Sequence, residues 1–137
     1  MKIFCIGLNK TGTTSLHVAL KALGFRSRHW GGPDSRRAVE RAIREGAPLL
    51  QYFGDYDAFS DIQRLSVNFD VLDQQYPGSR FILTTRDLDD WLDSRRRHVE
   101  RNIRRKMEGK YDGTFLTVDF DAWRDLDQGE PGMDASK

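Results

Sequence analysis

The chain has 137 residues, a formal net charge of +1 and a hydrophobic fraction of 38%, which suits one soluble globular domain large enough to bury a core. With 22 Lys+Arg against 21 Asp+Glu, no global field advertises nucleic acid or a membrane surface. The single cysteine, Cys5, excludes an intrachain disulfide and fits a reducing compartment, so a cytoplasmic location is expected.

Ile3 to Leu8 is an apolar run of strand length, too short for a signal-peptide core or a membrane span. It starts almost at Met1, so no targeting segment is expected ahead of it. Leu16, Ala19, Leu20 and Leu23 recur at helical spacing and predict a helix over 16–23, with Gly24 as its C′ residue. Phe25 to Trp30 predicts a second strand. After the turn Gly31-Gly32-Pro33-Asp34, Asp34 or Ser35 caps a helix running to Glu45, with Ala38, Val39, Ala42 and Ile43 inward and Gly46 at its end. Pro48 to Phe53 is apolar and ambiguous. Tyr56 to Ser60 predicts a third strand with Asp61 at its exit. From Ile62, the residues Leu65, Phe69 and Leu72 share a helical face until Tyr76-Pro77-Gly78 breaks it. Phe81 to Thr85 predicts a fourth strand, ended by Arg86. Asp87 or Asp89 then starts a long helix with Leu88, Trp91, Leu92, Val99, Ile103 and Met107 as its apolar positions and Gly109 as its stop. Phe115 to Val118 reads as a short strand and Phe120 to Leu126 as a helical turn or two. The expected organisation is one domain over 1–126 and a polar, frayed tail over 127–137. Strands alternating with helices predict an α/β fold with a parallel sheet.

Between the first strand and the first helix lies Asn9-Lys10-Thr11-Gly12-Thr13-Thr14-Ser15. A helix N-terminus leaves amide N–H groups unpaired and carries partial positive charge, so such a loop can cradle a phosphate or sulfate. Gly12 lets the backbone come close to the anion. Gly7 and Gly12 have the spacing of the Walker A pattern, but Thr13 stands where an NTPase has lysine. The lysine is Lys10, on the other side of the glycine. A nucleotide kinase would also need a carboxylate-ended strand for Mg²⁺, and Arg86 occupies that place.

The loop resembles the 5′-phosphosulfate loop of sulfotransferases that use 3′-phosphoadenosine 5′-phosphosulfate (PAPS). Its form there is K-[ST]-G-T-[ST], and Lys10-Thr11-Gly12-Thr13-Thr14 fits every position. In that family a later strand ends in an arginine, and a serine eight residues on joins it at the 3′-phosphate. Arg86 and Ser94 stand at that spacing, with Trp91 between them. The resemblance runs over roughly residues 2–120 and is closest to the small sulfotransferase-like proteins of the P-loop superfamily. It implies a three-layer fold and metal-free, in-line transfer of a sulfuryl group from PAPS to a hydroxyl or amine. It further implies that Lys10 meets charge on the leaving oxygen. Thr13, Thr14 and the Gly12 backbone would hold the 5′-phosphate, with Thr11 and Ser15 as further donors. Arg86 and Ser94 would hold the 3′-phosphate. Where cytosolic members stack an aromatic residue on adenine, this chain has Ser15. Such enzymes usually continue further, so the chain is expected to be short at its C-terminus.

The acceptor must lose a proton as it attacks, so a general base is expected. His29 and Asp61 qualify, each at the carboxyl end of a strand, where ligands bind in parallel sheets. His29 is preferred because neutral imidazole is the better base near neutral pH. His17 and His98 read as solvent-facing or packing residues. The three histidines show no metal-ligand spacing, and no metal is expected. Arg95, Arg96, Arg97, Arg101, Arg104, Arg105 and Lys106 make the long helix basic. That face is either solvated and paired in part with Asp93, Glu100 and Glu108, or attracts the nucleotide or an anionic acceptor. The expected partner is a small-molecule or carbohydrate acceptor, with neither nucleic acid nor membrane; no aromatic residues interleave the charges to stack bases. Two other function classes fit the residues less well: a degenerate P-loop nucleotide kinase, and a non-catalytic protein that binds PAP (3′-phosphoadenosine 5′-phosphate) or another partner.

Overall fold

The computed structural model describes residues 1–110; the segments 115–118, 120–126 and 127–137 discussed above lie outside them. In chain order the elements are β1 (Ile3–Cys5), α1 (Thr13–Ala22), β2 (Ser27–His29), α2 (Gly32–Glu45), β3 (Ala58–Ser60), α3 (Gln63–Ser66), α4 (Phe69–Gln75), β4 (Arg80–Ile82) and α5 (Leu88–Met107). The chain forms two compact units, Met1–Arg96 and Arg97–Lys137. The first contains the whole sheet. Of the second, the described part is the later stretch of α5 and residues 108–110.

The four strands are parallel and ordered β2-β3-β1-β4. Successive side chains of a strand point to opposite faces, and both faces of β1 are buried. Phe4 joins a core with Val39 of α2, Phe59, Leu65 and Leu72. Ile3 and Cys5 join a second core with Leu20 of α1 and Ala58. Two cores on opposite faces of one sheet make three layers, with α1 on one side and α2 to α4 on the other. Phe4 stacks between Phe59 and Phe81, at centroid distances of 5.7 and 5.5 Å. The ambiguous apolar run supplies Leu49, Leu50 and Phe53 to the larger core from a turn. Among the described residues, no helix is long and apolar enough to cross a membrane.

Several elements differ from expectation. α1 starts at Thr13, directly on Gly12, so its inner face is Thr13, Leu16 and Leu20, while Ala19 and Leu23 are exposed. In α2 the buried residues are Ser35, Val39 and Ala42, and Ile43 points out. The helix expected from Ile62 is broken into α3 and α4, and Phe69 is exposed. The Asn68 side-chain amide donates to the Arg64 carbonyl at 2.6 Å, a local bond that competes with helix continuation. β4 stops at Ile82, so Thr84, Thr85 and Arg86 lie beyond the ladder. Asp87 caps α5, its Oδ1 accepting from the amides of Asp89 and Asp90 at 3.1 and 3.2 Å. On α5, Leu88, Leu92, Val99, Ile103 and Met107 are exposed. The covered face keeps the expected Trp91 and otherwise carries His98 and Asn102. His98 is thus buried, within hydrogen-bond distance of Asn102 and Arg101.

Candidate functional site

The first loop leaves β1 at the carboxyl edge of the sheet, where β1 lies between β3 and β4. Strand order reverses there, which opens a crevice for ligands. Gly7 touches the segment after β4. A Cβ on Gly7 would collide with the Thr84 hydroxyl and come within 2.5 Å of its carbonyl oxygen and 2.9 Å of its nitrogen. The Thr11 hydroxyl donates to the Leu8 carbonyl and lies 2.7 Å from the Thr84 hydroxyl, from which it can then accept. Lys10 and Gly12 both take left-handed conformations, with φ of 62° and 87°. Gly12 N-caps α1 without any side-chain cap, and no acidic residue stands in the first turn. The first-turn amides are therefore left for an anion. Thr13 is buried; Thr14 and Ser15 are exposed.

Two side chains from beyond β4 fasten this loop. Arg86 Nη1 donates to the Lys10 carbonyl at 3.2 Å. Trp91 Nε1 donates to the Asn9 carbonyl at 2.8 Å. Arg86 is thereby brought to the loop, and its side chain is exposed. Ser94 lies half-buried on α5, and no hydrogen bond joins it to Arg86.

His29 reaches the same loop from the other side. It ends β2, and its Nε2 is 3.4 Å from Thr14 Oγ1 while its Nδ1 is 2.9 Å from the buried hydroxyl of Ser60 on β3. Burial, and secondarily the neighbouring His17, hold its pKa below the ordinary histidine value. Asp61 follows Ser60, half-buried and left-handed at φ 55°. The structure thus brings Lys10 to Ser15, Arg86 and His29 together at one sheet edge. Sequence reasoning missed the roles of Thr84, Ser60, Trp91 and His17. Only Trp91 left a trace, as the tryptophan in the first turn after Arg86.

These features define a parallel α/β domain with a glycine loop at its switch point. The family model of the sulfotransferase domain matches residues 2–124. The chain belongs to that family. It is also similar to "Ava biosynthesis cluster protein M" of Aspergillus versicolor, with 32% identity over 108 residues, covering 69% of this chain and 41% of that protein. The chain therefore spans about two fifths of the length of that curated relative.

Proposed function

We propose that the chain binds PAPS and transfers its sulfuryl group to a hydroxyl or amine of a small-molecule or carbohydrate acceptor. The observation that carries this reading is the join between the Lys10–Ser15 loop and Arg86, made through the Lys10 carbonyl. One cradle then offers amides and hydroxyls to a 5′-phosphosulfate and a planar fork of donors to a 3′-phosphate. Ser94 is the second 3′-phosphate donor in this reading, reaching it once a ligand fills the gap to Arg86.

PAPS supplies the sulfuryl group, and cleavage of its S–O bond to the nucleotide releases PAP. Lys10 places an ammonium against the oxygen on which that cleavage leaves the electron pair, which favours the transition state over the ground state. Thr13, Thr14 and the first-turn amides of α1 hold the phosphate, with Thr11 and Ser15 as outer donors. His29 Nε2, beside Thr14, takes the proton that the acceptor loses as its oxygen or nitrogen bonds to sulfur. A histidine held neutral by burial is available for this at neutral pH. Asp61, at the end of the next strand, is the alternative base.

Thermal unfolding with added ligands, alongside transfer from PAPS to a panel of acceptors, tests the reading. A ligand that binds only the folded chain adds about 2.7 kcal/mol when present at about 100 times its Kd. PAP should give this protection and ATP with Mg²⁺ much less. Better protection by ATP with Mg²⁺ would replace this reading with the kinase one. Protection by PAP without transfer to any acceptor would replace it with the non-catalytic binding protein.

A further inference from the structure

His17 enters none of the steps above, yet its ring lies directly against His29. α1 presents Thr14 and His17 at i and i+3, one turn apart on the face toward β2. The two imidazole centroids are 5.2 Å apart, with 27° between the ring planes. Each ring is anchored through Nδ1 to a serine on a strand. His17 Nδ1 lies 2.8 Å from Ser27 Oγ of β2, and His29 Nδ1 lies 2.9 Å from Ser60 Oγ of β3. With Nδ1 so engaged, His29 turns its other nitrogen toward Thr14 and the loop.

Two rings this close repel each other when both are charged, so protons are taken up by the pair rather than by each ring alone. The groups around the pair come from three elements. α1 contributes His17 and Lys21, β2 contributes Ser27, and β3 contributes Ser60 followed by Asp61. Burial pushes both rings toward the neutral form, and the charge of Lys21 on His17 and of His17 on His29 adds to it.

We propose that His17 is a positioning residue for His29: stacked on it from α1, it fixes the plane of the imidazole and opposes its protonation, so that Nε2 faces the loop as an open proton acceptor. The proposal rests on reading His29 as the base. A ring that merely fills space would be replaceable by any ring, and His17→Phe separates the two roles. It keeps an aromatic face and loses both the charge and the Nδ1 contact with Ser27. His17→Gln is the second variant, which keeps a polar partner for Ser27 and loses the ring.

The test is the titration of the His29 imidazole, followed by NMR in the full chain without donor or acceptor, beside the pH profile of kcat/KM. In wild type each ring's resonance should show the two inflections of a coupled pair. In both variants the His29 midpoint should move to higher pH, because the opposing charge is gone. The acid limb of kcat/KM should move the same way, with a several-fold loss on that limb that recovers toward neutral pH, because burial still holds the His29 midpoint below the ordinary histidine value. A His29 midpoint left unmoved by His17→Phe overturns the proposal, as do independent single-step curves in wild type. The titration needs no turnover, so it is decided separately from sulfuryl transfer. A moved midpoint in a chain that transfers nothing keeps the pair and removes the transfer reading. Normal transfer with an unmoved midpoint does the reverse.

Discussion

At the scale of single residues, the loop separates binding from rate. Lys10 stands before Gly12 in a left-handed conformation, on the side of the glycine opposite to a Walker lysine. If it meets charge that appears only as the S–O bond breaks, Lys10→Ala should lower single-turnover transfer by about 10²–10³-fold, the effect of removing one transition-state donor. Equilibrium binding of PAP should fall far less. Lys10→Arg should restore little, since a planar guanidinium does not place its charge where a compact ammonium does. Binding that falls as steeply as rate would make Lys10 a phosphate anchor only. Arg86 has two tasks that one substitution can divide. Arg86→Ala should weaken PAP by about 1.5–3 kcal/mol, the scale of a charge-assisted hydrogen bond. Adenosine 5′-phosphosulfate lacks the 3′-phosphate and should lose only what the freed Lys10 carbonyl costs the loop. Equal losses in calorimetry for the two ligands would leave Arg86 as a brace and nothing more.

At the scale of elements, β1 and its exit decide whether the cradle forms. Gly7→Ala would force a methyl group against the Thr84 hydroxyl and backbone, where two segments meet beyond the ladder that Ile6 and Ile82 close at 2.9 Å. Overfilling a packed contact costs about 1–3 kcal/mol, so the variant should unfold at lower temperature and bind PAP more weakly even where it remains folded. A Tm and PAP affinity equal to wild type would show that the Gly7–Thr84 approach is dispensable. The sequence made the glycine spacing visible but not its reason, because Thr84 is distant in the chain and lies beyond β4, which stops at Ile82, short of the expected strand end at Thr85. Local chemistry was readable where it acts within one turn: Gly46 and Gly109 with positive φ after their helices, and Asp87 as a cap. Readings failed where a long-range partner or a competing side chain decides. Asn68 divides α3 from α4 through a side-chain bond to Arg64. His98 and Asn102 join the expected Trp91 on the covered face of α5, where periodicity alone places leucine, valine and isoleucine. Polar and aromatic groups that satisfy one another can be buried, and a hydrophobic count does not register them.

At the scale of the molecule, alternation of strands and helices predicts a parallel sheet, but the order β2-β3-β1-β4 is what makes a site of scattered residues. It sets β3 between β2 and β1, so that Ser60 can hold His29 while α1 carries Thr14 and His17 across to meet it. The same edge receives Arg86 from beyond β4. The charges of this site act locally in an almost neutral chain of 22 basic and 21 acidic residues. Arg96 of α5 is tied to Asp93 at 2.8 Å, and Lys110 lies 3.4 Å from Glu108, so the basic run is partly offset by its own neighbours. Local contacts lose strength as salt screens them, over a Debye length of about 8 Å at physiological ionic strength. Long-range steering, by contrast, raises the encounter rate, by factors of about 10–10³, and is lost as salt rises. The Kd for PAP should therefore rise with added salt mainly through faster dissociation, while the association rate constant in stopped flow changes by less than about tenfold. A steeper fall in association would mean that the arginines between Arg95 and Arg105 act on the approaching nucleotide. Their substitution by glutamine should then slow encounter while leaving dissociation as it was.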